Sequence, residues 1–227
     1  MTSTAQNWPI WRFNTVIDSL YAPFKKWSQN ASVWLYSDPH FGDFESYTFR
    51  GLITGKTKEE LDNFQVGRIN TVVGKNDTII FLGDIGDPTP LKRIRGRKIL
   101  ITGNHDRGAA FYKDYFEEIY TGCLTISDRI ILSHEPIEGC PLFLFNIHGH
   151  DHNGTDFKEY VLKDYDADMP LDSLVSNYLT TIKQYGLNKF NVCAEWINYK
   201  PVSLKDIIHS GVLANIPTIH RDYLDKK

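Results

Sequence analysis

Seven side chains of metal-binding type recur in a fixed order along the chain. They are Asp38 and His40 in Asp38-Pro39-His40, Asp84 after Gly83, Asn104 in Gly103-Asn104-His105-Asp106, His134, and His150 and His152 in Gly149-His150-Asp151-His152. Carboxylates, imidazoles and an amide oxygen form a borderline donor set suited to manganese, iron, zinc, cobalt or nickel, with manganese favoured. Two such ions about 3.5–4 Å apart can supply a strong nucleophile and neutralise charge on phosphoryl oxygens, which is what hydrolysis of a phosphate ester near neutral pH requires. Asp84 suits the bridge, because a shared carboxylate offsets repulsion between the cations. His105 sits beside Asn104 and cannot easily ligate the same ion, so its ring is free to face the scissile bond as a proton donor to the leaving oxygen. Asp106 could orient that ring, and Asp87 could hold a ligand histidine as an outer partner. No single piece carries this reading: a lone Asp-x-His or Gly-Asp pair belongs on ordinary polar turns, and His134 alone reads as a core or turn histidine.

The setting does. Ser32-Val33-Trp34-Leu35-Tyr36 leads into Asp38, Thr78-Ile79-Ile80-Phe81-Leu82 into Asp84, and Lys98-Ile99-Leu100-Ile101 into Asn104. Arg129-Ile130-Ile131-Leu132 leads into His134, and Phe143-Leu144-Phe145-Asn146-Ile147 into His148 and Gly149. These short apolar runs resemble strands buried on both faces. Laid side by side in one or two packed sheets, they gather the residues past their carboxyl ends along one edge, where open α/β sheets bind ligands.

The intervening stretches divide into helices and loops. Ile10, Phe13, Ile17, Leu20, Phe24 and Trp27 recur at helical spacing within a helical extension over residues 1–30, which Pro23 should kink or end. Residues 41–56 read as an aromatic loop at the pocket mouth. Its Phe41, Asp43 and Arg50, with Arg107 after Asp106, are the candidate substrate contacts. A helix fits residues 57–73, with Thr57 as N-cap and Glu59 and Glu60 in its first turn. Lys92, Arg93, Arg95, Arg97 and Lys98 form a basic run, read as a solvated turn with an anion-attracting patch as the alternative. Asp164 to Asp168 reads as an acidic surface loop. Leu171, Leu174, Val175, Tyr178, Leu179, Ile182 and Tyr185 make a helical stripe ending at Gly186. Phe190 to Trp196 reads as a further strand, and Ser203 as the cap of a short helix through Ile208.

Composition bounds the rest. The chain has 227 residues, 41% of them hydrophobic, enough for a substantial core in a single domain over 1–227, with a metal-site core over 31–153 completed by 154–227. A net charge of -3 and a pI near 6.2 argue against wholesale electrostatic capture of nucleic acid. Cys123, Cys140 and Cys193 lack CxxC spacing and read as buried thiols in a reducing compartment. Without a leader pattern or a spanning apolar run, a soluble cytoplasmic protein with no membrane partner is expected.

The ordered motifs resemble the calcineurin-like metallophosphoesterase superfamily, whose pattern is Asp-x-His, Gly-Asp-x-x-Asp, Gly-Asn-His-Asp/Glu, His, Gly-His-x-His. The match spans Val33 to His152, and Asn198-Tyr199-Lys200-Pro201-Val202-Ser203-Leu204 adds a likeness to small bacterial and phage members. The resemblance implies an α/β fold of two mixed β-sheets flanked by helices in four αββα layers. It implies Asp38, His40, Asp84 and His152 around one ion, and Asp84, Asn104, His134 and His150 around the other. It further implies in-line attack on phosphorus by a metal-bound hydroxide, with His105 protonating the leaving group. Pro88-Thr89 after Asp87, and Asp106 in place of glutamate, set the chain apart from Ser/Thr phosphoprotein phosphatases. Asp43 stands where small relatives often carry histidine, which disfavours highly anionic monoesters. The leading expectation is a phosphodiesterase acting on a small, nucleotide-like phosphoester. A nuclease on DNA or RNA and a non-catalytic metal-binding scaffold are the alternatives.

Overall fold

Runs of β-branched and aromatic residues form the strands, and their ends fall where polar or turn-forming residues interrupt them. In the computed structural model, which describes residues 32–43, 56–127, 129–152 and 173–216, these strands make two sheets. The first contains β1 (Val33–Tyr36), β2 (Thr78–Phe81), β3 (Arg97–Ile101), β4 (Glu118–Tyr120) and β9 (Val202–Ser203), in the order β4-β3-β2-β1-β9. Its first four strands are parallel neighbours, and β9 closes the edge antiparallel to β1. The second contains β5 (Leu124–Thr125), β6 (Ile130–Leu132), β7 (Phe145–His148) and β8 (Lys189–Asn191), in the order β5-β6-β7-β8. Here β5 is antiparallel to β6, while β6, β7 and β8 run parallel. Both sheets are mixed, and the α/β class is as the sequence led us to expect.

Register assigns the faces. Tyr36, Phe81 and Leu100 are cross-strand partners and share a face. On that face the Tyr36 hydroxyl donates to Gln65 Oε1 of helix α1 (Lys58–Asn70) at 2.7 Å, and Phe81 meets Phe116 edge-on. Leu35, Ile80 and Ile99 occupy the opposite face and join Leu132, Ile147 and Phe190 of the second sheet in one continuous buried cluster. Helix α3 (Leu174–Tyr185) covers the second sheet: Tyr178 packs edge-on against Phe190, and its hydroxyl accepts from the Asn191 amide.

Local signals set the helix ends. Thr57 and Glu60 form a reciprocal capping box at the start of α1. Gly186 ends α3 in the left-handed region, at φ 66°. Ser203 caps α4 (Leu204–His209) by accepting from the Asp206 amide. A one-turn helix α2 (Ala109–Tyr112) and the strands β4, β5 and β9 were not anticipated; they are too short to show a period. The expected strand over 190–196 is shorter, because after Asn191 the chain turns into a 3-10 helix, Ala194–Ile197.

Two further readings need correction or limits. Cys140 and Cys193 are buried, but Cys123 is exposed. The N-terminal helical extension, the acidic loop around Asp164, Leu171, Arg50 and most of the aromatic loop lie outside the described residues. Among the described residues no helix is long and apolar enough to cross a membrane.

Candidate metal centre

Parallel strands bring their carboxyl ends to one side, so the loops after β1, β2, β3, β6 and β7 converge. Backbone bonds beyond the ladders tie them together. Asp38 N donates to Gly83 O at 3.1 Å, His40 N to Asp84 O at 3.0 Å, and Gly149 N to His134 O at 2.8 Å. The two sheets also join here, since Ser37 bridges Cys193 in parallel, with Ala194 N donating to Ser37 O at 3.0 Å.

The loops adopt backbone that ordinary residues avoid. Asp38, His40, Asp84 and His150 have φ between 44° and 65°. Each such residue costs about 1–3 kcal/mol, a penalty concentrated where geometry serves function. Close approach demands glycine nearby: a Cβ on Gly103 would overlap the Asp84 carboxylate and lie 2.8 Å from His134 Cε1, and one on Gly149 would overlap Ser37 and Asp38.

All seven candidate ligands come together, in two nests that share Asp84. In the first, His40 Nε2 lies 3.3 Å from His152 Nε2, 3.6 Å from Asp84 Oδ2 and 3.8 Å from Asp38 Oδ1. His152 Nε2 is 3.4 Å from Asp38 Oδ1. In the second, His134 Nε2 lies 2.8 Å from Asn104 Oδ1, 3.2 Å from His150 Nδ1 and 3.5 Å from Asp84 Oδ2. His150 Nδ1 is 3.2 Å from Asn104 Oδ1. Donors that each sit about 2.0–2.2 Å from one cation are roughly 2.8–3.6 Å from one another, so both nests have nearly the dimensions of a coordination shell.

The hydrogen bonds behind the rings decide what they present. His134 Nδ1 is 2.7 Å from the Leu82 carbonyl, which can only accept, so the neutral ring turns a bare Nε2 toward Asn104 and Asp84. His152 Nδ1 is bonded to the Glu195 carboxylate, so its neutral ring likewise presents a bare Nε2. Asp38 Oδ2 accepts from His150 N at 2.9 Å and from the Cys193 thiol at 3.2 Å, and lies against the Ser37 hydroxyl. Its Oδ1 is buried without a hydrogen bond. Lone pairs facing one another around an unsatisfied carboxylate oxygen fit a divalent cation, and the groups Asp38, His40, Asp84 and Asp84, His134, His150 could each hold one.

Charge tells the same story. Burial opposes ionisation of Asp38, yet His152, His134 and Ser37 hold it well below the usual carboxylate range. Burial pushes Asp84 upward, and Asp38 and Asp106 add to that despite His134 and the His105 amide. Burial disfavours a charged His152, but Asp38 and Glu195 outweigh it and raise the ring to about 9. The negative field that draws a proton onto His152 also suits a metal ion, whose binding displaces that proton.

The remaining candidates fare differently. His105 is exposed, its amide donating to Asp84 Oδ1 at 2.9 Å and its ring centroid 5.9 Å from that of His40. Asp106 is not bonded to the His105 ring. Its carboxylate instead accepts from the amides of Gly103, Asp84 and Ile85 at 2.8–2.9 Å and from the Tyr112 hydroxyl at 3.0 Å. Asp87 holds no histidine either: it is exposed and caps its own turn through Thr89 N at 2.9 Å. Phe41 is a core residue, 1% exposed. Asp43 is exposed, 3.9 Å from His40 Nδ1. Arg107 is exposed with its guanidinium 4.4 Å above the Phe111 ring.

Sequence reasoning missed the support. Gln65 Nε2 donates to Pro39 O at 2.9 Å and Asp62 accepts from Gly42 N at 3.0 Å, so polar residues on the buried side of α1 hold the first loop. Cys193 and Glu195 follow β8 as the other site residues follow their strands, but reading 190–196 as unbroken strand hid that signal. The basic run makes local contacts, but Lys92, Arg93 and Arg95 remain exposed. Lys92 lies over Tyr115, Arg93 bonds Asn63, Arg95 bonds Asn70, Arg97 pairs with Glu118, and Lys98 bonds Gly96 O.

No protein family model matches the chain, and no curated protein matches it. Among solved structures, a protein of unknown function from Aquifex aeolicus is similar with a TM-score of 0.56 at 24% identity, over 79% of this chain and 99% of that one. That likeness supports the fold alone. The nuclease MPE of Pseudomonas putida aligns with a TM-score of 0.37 at 20% identity, over 53% of this chain and 61% of that one, too slight a likeness to bear on this chain.

Proposed function

We propose that the chain is a metal-dependent phosphoesterase of the calcineurin-like type, hydrolysing a phosphodiester in a small, nucleotide-like substrate. The observation that carries the reading is the pair of nests sharing Asp84, each lined by imidazole nitrogens and side-chain oxygens at coordination-shell spacing. Asp38, His40, Asp84 and His152 would hold one ion, and Asp84, Asn104, His134 and His150 the other. Two divalent cations, manganese first among them, supply when bound a nucleophile from water at neutral pH and neutralise phosphoryl charge. His105, at the open side of the nests, gives its proton to the ester oxygen as the P–O bond breaks, so that water and a diester become a monoester and an alcohol. Arg107 stands on the same loop, where its charge can meet the substrate's phosphate. The net charge of -3 is the reason a long polyanion is not the favoured substrate.

The deciding experiment compares hydrolysis of an aryl phosphodiester and its monoester in manganese, with wild type and His105→Ala. Diester turnover should fall about 10²–10⁴-fold in the variant while manganese binding persists. Monoester preference would make the protein a phosphatase. Turnover indifferent to chelator would remove the metal centre from the reaction.

A further inference from the structure

Both candidate nests depend on one loop, Gly149-His150-Asp151-His152, which supplies a histidine to each. The end of β8 and the segment after it grip that loop at three points. Asn191 Nδ2 donates to Asp151 O at 2.7 Å, Trp196 Nε1 donates to the same carbonyl at 3.0 Å, and the Glu195 carboxylate accepts from His152 Nδ1. The first two contacts place the backbone; only the third reaches a candidate ligand ring. Glu195 is three-quarters or more buried and approaches from the side of His152 opposite Asp38 and His40. It follows that Glu195 selects the tautomer and fixes the tilt of the ring.

We infer that Glu195 is a positioning residue for the metal centre, holding the His152 ring with Nε2 aimed between Asp38 and His40. This rests on the metal-centre reading above. An imidazole backed by a carboxylate is a stronger, better-oriented donor than one backed by water, and losing such a partner typically weakens metal binding about 10–100-fold. His134 and His152 thereby differ in kind, one backed by a neutral carbonyl and the other by a carboxylate.

The test is calorimetric titration of Mn²⁺ into the chelator-stripped full chain for wild type, Glu195→Ala, Glu195→Gln and Glu195→Met, with thermal melts in EDTA alongside. Glu195→Ala should bind Mn²⁺ about 10–100-fold more weakly than wild type. Glu195→Gln keeps an oxygen to accept from Nδ1 and should recover most of that loss, whereas Glu195→Met, which fills the same space without an oxygen acceptor, should stay close to alanine. If alanine lowers the EDTA melt, the glutamine variant carries the comparison. Wild-type affinity in Glu195→Ala, or a glutamine variant as weak as alanine, overturns the assignment of Glu195 while leaving the metal centre intact. A wild-type chain that takes up no Mn²⁺ overturns both.

Discussion

Asp106 supports the candidate site from behind its ligand residues. Its two oxygens accept three backbone amides and one hydroxyl, tying the turn after β2 to the turn after β3 and thereby setting Asp84 against Asn104. Asp106→Asn places an NH₂ group where an acceptor is needed, so chelated protein should lose about 2–4 kcal/mol in urea melts. Tyr112→Phe removes a single donor and should lose only about 1 kcal/mol. Equal losses would mean that the strap is not the carboxylate. The residue pattern Asn-His-Asp is legible without a structure, but which of its neighbours the carboxylate serves is not, because the amides come from a segment about twenty residues away.

At the scale of elements, loop geometry does what no single ligand can. Gly149 lets the histidine loop press on Ser37 and Asp38, and a methyl group there has nowhere to go. Gly149→Ala should therefore weaken Mn²⁺ binding in calorimetry by at least tenfold; unchanged binding would show that the loop shifts freely. The strand that feeds the first loop is anchored by Asp77, which accepts from Ser32 N at 3.0 Å, Trp34 Nε1 at 3.0 Å and Gly74 N at 2.8 Å. Burial opposes ionisation of Asp77, but these donors outweigh it and lower the pKa from 3.8. A depressed carboxylate contributes stability that is present above the unfolded value and is lost as pH falls through the folded one. Asp77→Asn should thus cost about 1–2 kcal/mol at pH 7 and flatten the acid limb below pH 4, as followed by denaturant melts. An acid limb identical to wild type would exclude Asp77 as its source.

For the whole molecule, the candidate metal centre lies at the seam between two sheets that share one core. Candidate ligands from the first sheet (Asp38, His40, Asp84, Asn104) meet candidates from the second (His134, His150, His152), so a cation held there would bind the folded chain and not the unfolded one. At one hundred times its Kd, Mn²⁺ should add about 2.7 kcal/mol. For a chain of this size that is a Tm increase of roughly 5–10 °C, reversed by EDTA. A melt that ignores saturating Mn²⁺ would argue that the nests do not bind it.

The order of motifs, the strands before them and the caps at Thr57, Gly186 and Ser203 were all determined locally, because each depends on a few neighbouring residues and a two- or four-residue period. From that order alone the seven candidate ligands could be named. The roles of Asp87, Asp106 and Phe41 were decided only by tertiary structure, since a carboxylate or ring so close to a ligand in sequence can face it, the backbone or the core. Gln65 and Asp62 were beyond local reading for the same reason, and so were the partners of Cys193 and Glu195. Their function is a contact across 20 to 155 residues of chain, created when parallel strands align their carboxyl ends, and no periodic pattern encodes it.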